Sequence, residues 1–421
     1  MAGVTNTLHR RLGTPGAVAI GLGAMLGAGV FSVFTPAAGA AGAALPLAVV
    51  LAALVAVLNA TATAQLARQY PVAGGAYVYG RKRLGEWPGF LAGWGFLIGK
   101  TASCAAIAWT LGAYALPGHE RWVALAAVAV LTLLALGGVT RTAGASMIIA
   151  GAVILALLAV IALGWAGVIS GRMADGAAAP LPSGGTWYGV LQAAGLVFFA
   201  FAGYARVATL GEEVVDPART IPRAIAISLS VVLVIYLALA VLLDRALGAD
   251  LATALTPIAD LIAPVLGTGG EVAVRIVATV ACAGSLLALM AGISRTTVAM
   301  GRTGDLPRAV ARISDRGVPT RAELLVGVVV AAAVLTVDLR GMVAFSSFGV
   351  LLYYAVANLA AFTQAREDRF VPRAVNAVGA LLCGVLVVTL PLSGSLVGLG
   401  VLALGVGWRL LTRSRAPRRA A

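Results

Sequence analysis

The chain has 421 residues, of which 61% are hydrophobic and only 11% charged, and its mean hydropathy is +0.99. Soluble domains carry roughly a quarter charged residues, so these few polar groups cannot cover a water-facing exterior, and a soluble enzyme or binding module is excluded. A formal net charge of +14 would suit a nucleic-acid binder only if the basic groups formed a wetted face; the 30 cationic side chains (28 Arg, 2 Lys) lie mostly in short segments between apolar runs, which implies no nucleic-acid partner.

Apolar runs long enough to cross a bilayer as helices fall at 15–38, 43–66, 89–114, 122–140, 145–169, 188–210, 224–246, 273–300, 322–338, 341–363, 373–391 and 394–412. The chain therefore reads as an all-α polytopic membrane protein with twelve spans and the lipid bilayer as its surroundings. Residues 1–14 form an N-terminal tail in which His9, Arg10 and Arg11 precede the first run as in a signal peptide. That run continues past a signal's usual length without a clear cleavage site, so it reads as a retained first helix. Twelve spans put both termini on one side. With that side cytoplasmic, 22 cations fall on inner segments, five (Arg121, Arg172, Arg245, Arg275, Arg340) on outer ones and three (Lys100, Arg206, Arg295) within spans. This positive-inside bias predicts a plasma (inner) membrane protein with both termini cytoplasmic. The basic tail at 413–421 continues the bias and can touch anionic lipid.

The first span carries the string Gly21-Leu-Gly-Ala-Met-Leu-Gly27-Ala-Gly29-Val-Phe31. Glycine weakens a helix and tolerates unusual backbone angles. The string mimics a dinucleotide fingerprint, but it lies inside an apolar run and follows no strand. The basic stretch 67–88, with Tyr77 and Tyr79 beside Arg81, Lys82 and Arg83, reads as an intracellular loop along the membrane surface. In the third span Lys100 stands three residues before Ser103, on roughly the same face. A lysine at that depth is costly and usually functional; it reads as a proton-coupling group or an attractor of substrate anion, against a lysine that snorkels or bonds a broken-helix carbonyl.

The sixth span holds Phe198-Phe-Ala-Phe-Ala-Gly203-Tyr204, then Arg206 and the acidic loop Gly211-Glu212-Glu213. Arg206 reads as a gate or a structural ion pair with those acids, and Arg295, late in the eighth span, as structural. The glycine-rich points of spans one and six occupy equivalent places if spans 1–5 and 6–10 are two halves, the pattern of inverted-repeat transporters. Backbone unwound at that depth must line a cavity. Freed N–H groups at a half-helix start bind a carboxylate, and freed carbonyls accept from an ammonium, so a zwitterionic amino acid satisfies both. The competing reading, close packing through small-xxx-small spacing, is available in a chain with 52 Gly.

No enzyme is expected. A serine protease built on Ser285 would need a membrane-embedded histidine, and His9 and His119 are peripheral; Cys104, Cys282 and Cys383 share no metal-ligand spacing and read as small packing residues. No cofactor or metal is implied, and no feature marks a channel's selectivity filter.

Four segments resemble the amino acid–polyamine–organocation transporters. Gly27-Ala-Gly-Val-Phe31 is similar to the family's helix 1 break, and Pro71-Val-Ala-Gly-Gly-Ala-Tyr77-Val-Tyr79 with Gly93-Trp94 to its loop into helix 3. Phe198 to Ile225 resembles the helix 6 break with its cytoplasmic loop, and Met300-Gly-Arg-Thr-Gly-Asp-Leu-Pro307 with Val318-Pro319 the loop after helix 8. The resemblance implies a leucine-transporter fold: a 5+5 inverted repeat over 15–170 and 188–363, plus two further helices over 373–412. It implies a substrate carboxylate at the backbone of Ala28 and Gly29, an ammonium at carbonyls near Met25, Phe199 and Ala202, a break at Gly203, and a shaping aromatic at Tyr204; Gly27 and Ser103 complete the substrate-binding candidates. Relatives with Ser or Thr at Ala28 have a hydroxyl that is absent here. Relatives handling cations carry a carboxylate where this chain has Gly99 or Ala205, and all sixteen acids lie in loops or at span ends. Neutral or acidic amino acids are thus expected over cationic ones, moved by a monomer or homodimer. An exchanger or exporter, of cationic amino acids or polyamines included, is the alternative. Sodium-independent relatives place a lysine in helix 5; span 145–169 has none, so coupling to proton or sodium stays open.

Overall fold

The computed structural model describes residues 12–70, 74–138, 143–173, 187–208, 210, 213–314 and 317–414. The tail through Arg11, residues 71–73 of the loop motif, Arg141, Gly211, Glu212 and the tail from Arg415 lie outside the described residues.

The first span is built from Thr14–Leu26 (α1), Gly29–Ser32 (α2) and Phe34–Ala41 (α3). Leu45–Gln69 (α4) follows, then the short Gly75–Leu84 (α5) inside the basic loop. Glu86–Ala115 (α6), Glu120–Leu136 (α7) and Ala143–Ile169 (α8) complete the first half. Trp187–Phe201 (α9) runs through a 3₁₀ turn at Ala202–Tyr204 into Ala205–Ala208 (α10). Then come Pro217–Leu247 (α11), Pro257–Arg302 (α12), Thr320–Thr336 (α13), Leu339–Phe362 (α14), Arg373–Thr389 (α15) and Leu392–Ser414 (α16). Among the described residues there is no strand, only an isolated bridge between Leu12 and Val214.

Nine helical stretches among the described residues are long and apolar enough to cross a membrane, and α15 is a shorter apolar helix. The helices α7, α13 and α15 have 17 residues each, about 26 Å at the α-helical rise. The most apolar windows of α6, α9–α10 and α14 are 78% buried, against 28% for α8 and 22% for α16, so the first group forms the centre and the second the rim. Small residues make the centre tight: a Cβ on Gly99 of α6 would lie 2.9 Å from the Ser346 carbonyl of α14, the close backbone approach typical of helix pairs without a hydrophobic driving force. Large apolar side chains such as Ile148, Val234 and Val388 point outward, as lipid-facing surface requires.

The eighth helix differs from its expected span of 273–300. It begins at Pro257 and bends at Gly267, where φ is 65°. The helical arm Pro257–Leu266 is too short to register as a span of its own, and the positive φ that glycine adopts freely joins it to the main shaft.

Candidate functional site

The first span is interrupted where the glycines predict. Between α1 and α2, Ala28 leaves helical geometry (φ −143°, ψ −33°). The sixth is not unwound to the same extent: it tightens into the 3₁₀ turn Ala202–Tyr204, where i→i+3 bonding keeps the backbone paired.

The two irregular points pack directly on one another. A Cβ on Gly29 would stand 2.6 Å from Ala200 Cα, and one on Gly203 would stand 2.6 Å from the Ala24 carbonyl carbon and oxygen. A Cβ on Gly27 would collide with Ser285 Oγ of α12. Glycine is thus required at 27, 29 and 203 by contact, as the packing reading expects, while the residue that leaves helical geometry is Ala28. Met25, Ala28, Ser103, Phe199, Ala202 and Tyr204 are all buried.

Side chains from the surrounding helices hold the exposed backbone. The Tyr236 hydroxyl of α11 donates to the Met25 carbonyl at 2.7 Å, and Ser32 Oγ donates to the Ala28 carbonyl at 2.9 Å while bonding Thr110 Oγ1 of α6 at 2.8 Å. Lys100 Nζ donates to the Ala202 carbonyl at 3.4 Å, joined there by the Tyr354 hydroxyl at 3.5 Å. Lys100 is buried, 7% exposed, and it bonds a broken-helix carbonyl instead of snorkelling. Tyr204 stacks on Tyr354 with centroids 5.1 Å apart. Two of the three carbonyls expected to meet an ammonium therefore already accept side-chain bonds from the chain itself: Ala202 takes two, which fill its lone pairs, and Met25 takes one.

Ser103 is not turned to the breaks: it donates to the Gly99 carbonyl at 3.1 Å and bonds Ser346 Oγ at 2.7 Å. Arg206 is exposed, and Glu213 and Arg295 are charged neighbours whose fields reach it; Glu212 lies outside the described residues. A cavity of about 270 Å³ lies between α4 and α11, against Phe201 and beside the breaks instead of between them.

A second cluster was not legible in the sequence. Asp305, just past α12, is 4% exposed and Arg409 of α16 is 1% exposed. Arg409 Nη1 bonds Asp305 Oδ1, and Arg81 Nη1 of α5 bonds Oδ2 at 2.8 Å. The Tyr77 hydroxyl also donates to Oδ2 at 2.8 Å, and burial above all pushes its pKa up. The Arg409 guanidinium lies 4.5 Å from the Phe90 ring centre and 5.0 Å from that of Trp87, within cation–π range. Arg409, which the charge count places on an inner segment, also has a structural role: an aromatic slot and a buried carboxylate take it out of water. The loop motif around Tyr77 and the Gly-Arg-Thr-Gly-Asp-Leu-Pro motif are thus one unit, joined by a residue 104 positions downstream of Asp305. No local spacing announces such a pair.

Comparison with known proteins agrees with this architecture. An uncharacterized transporter of Mycobacterium tuberculosis is 48% identical over 417 residues, 97% of this chain and 94% of that protein. A chloroplastic cationic amino acid transporter 6 of Arabidopsis thaliana is 30% identical over 84% of this chain and 65% of its own length. The inner membrane transport protein YbaT of Escherichia coli is 29% identical over 90% and 89%. A bundle of apolar helices with these relatives is a multi-pass membrane transporter, not an enzyme. Residues 12–403 match the family described as Amino acid permease, and the chain belongs to that family.

Proposed function

We propose that this chain is a secondary active transporter that moves amino acids across the plasma membrane by alternating access. The observation that carries the reading is the apposition of two irregular helix points, 27–29 and 202–204, deep in an apolar bundle. Paired discontinuous helices at membrane depth are where such carriers hold substrate and coupling ions.

In this reading the twelve spans form a leucine-transporter fold, with inverted repeats over 15–170 and 188–363, two further helices over 373–412, and both termini in the cytoplasm. The substrate carboxylate meets backbone at Ala28 and Gly29 beside Gly27, and its ammonium lies among the carbonyls near Met25, Phe199 and Ala202, of which Met25 has a lone pair free beside the Tyr236 bond. Gly203 and Tyr204 shape the sixth helix around it, and Ser103 supports the wall through Ser346. Lys100 and Arg206 serve coupling or gating, with a proton or sodium as the driving ion. Neutral or acidic amino acids fit a site without a carboxylate.

The test is a thermal-shift screen of the detergent-purified chain against the twenty amino acids and common amines. A ligand at a hundred times its Kd stabilises the native state by about 2.7 kcal/mol, so at least one amino acid should raise the melting temperature by several degrees. No shift with any amino acid sinks the proposal. The second reading is an exchanger or exporter, of cationic amino acids or polyamines included; the name of the Arabidopsis relative favours its cationic amino acid part alone, and stabilisation by arginine or putrescine alone would select it.

A further inference from the structure

Lys100 is buried in α6 at the centre of the bundle, with Cys104 one turn along the helix near its ammonium. Among the described residues its one hydrogen bond is to the Ala202 carbonyl at 3.4 Å, which accounts for one of three N–H donors. Among the described residues no Asp or Glu forms an ion pair with it; the buried acid on that side, Glu323 in the first turn of α13, acts on Cys104, one turn along α6 from Lys100, and makes no bond to the lysine. A buried charge without a counter-charge is strongly unfavourable. Such a group persists where the counter-charge arrives with a ligand.

Lys100 also sits where a substrate amine was expected. By bonding the Ala202 carbonyl it turns the end of that helix segment from an ammonium acceptor into the mount of a fixed positive charge. The Met25 carbonyl on the opposite segment, with one lone pair free beside the Tyr236 bond, is left for the substrate amine. The backbone near Gly29 takes the main-chain carboxylate. The zwitterion's own charges are then matched without Lys100, and the remaining donors call for one further anionic group.

We infer that Lys100 is a specificity-determining residue that pairs with a side-chain carboxylate, so that the preferred substrates are acidic amino acids. This rests on the carrier reading above and narrows it. A cationic side chain would face Lys100 at close range with no acid paired to that lysine to offset the repulsion.

The experiment is ligand binding by the purified full-length protein, by thermal shift and calorimetry, with glutamate, aspartate, glutamine, asparagine and arginine. The wild type should bind the acidic member of each acid–amide pair roughly ten- to a hundredfold more tightly, the worth of a charge-assisted bond. In Lys100→Gln that preference should vanish or reverse while the amides still bind, and Lys100→Arg should keep it. If the wild type prefers glutamine or arginine, the inference is wrong without any variant. It is equally wrong if folded Lys100→Gln keeps the acidic preference. Failure to bind any amino acid would instead remove the carrier reading beneath it.

Discussion

Gly29 and Gly203 sit where two backbones come within van der Waals contact, and the cost of a single methyl there is readable. With Ala200 Cα and the Ala24 carbonyl each 2.6 Å from the added carbon, the neighbour that must move is backbone. Gly29→Ala and Gly203→Ala should each lower stability by about 1–3 kcal/mol or more, seen as a fall in melting temperature. Gly292→Ala, with nothing within 4 Å of the added carbon, should be neutral or slightly stabilising because alanine restricts the unfolded chain. The Asp305 cluster gives a second contrast. Arg409→Met should cost about 3 kcal/mol, and Asp305→Asn should cost more, since it leaves Arg81 and the buried Arg409 facing one another with only the exposed Glu86, 3.7 Å from each, as a shared carboxylate. If Asp305→Asn melts with the wild type, the cluster contributes no stability. Lys100 and the glycines at 27, 29 and 203 were visible in the sequence because a charge or a run of glycines inside an apolar stretch violates the local pattern. Tyr236, Tyr354 and Arg409 were not. An isolated hydroxyl in a helix, or an arginine near a helix end, looks ordinary until a partner helix brings it an acceptor.

At the level of elements, the two irregular helices are unequal, and this predicts unequal dynamics. The first loses helical geometry at Ala28, while the sixth keeps i→i+3 bonding through Ala202–Tyr204. Local opening follows the number of backbone bonds that must break. In hydrogen-exchange mass spectrometry the amides around 27–29 should exchange faster than those around 202–204, and a bound amino acid should slow both. Ligand-induced protection confined to some other pair of helices would relocate the site. The difference between the breaks could not be read from composition. Glycine marks a place where a helix is free to depart from α geometry, and neighbouring helices decide how far it goes. The helical arm Pro257–Leu266 was missed for a related reason: ten residues bounded by Gly267 are too few to be scored as a span, although Pro at the first helical position announces a start.

For the molecule as a whole, the distribution of charge is the strongest statement about orientation, and the short helices α7, α13 and α15 are where it is most exposed to test. Each has 17 residues, at the lower limit for crossing, so the twelve-span topology stands only if they cross. The native cysteines, Cys104, Cys282 and Cys383, are all free and buried, which makes the wild-type chain silent to a membrane-impermeant maleimide. Single substitutions at the exposed positions Arg308, Arg340, Arg366 and Ser393 then form a ladder. The 308 and 340 positions are separated by α13, 340 and 366 by α14, and 366 and 393 by α15. In intact cells R340C and S393C should be labelled, and R308C and R366C should be labelled only after permeabilisation. The same alternation with the sides exchanged would keep the crossings and invert the orientation. If R308C and R340C share a side, α13 does not cross. The second half would then lose the helix that pairs with α7 in the inverted repeat, and the twofold relation between the two breaks would have no structural basis.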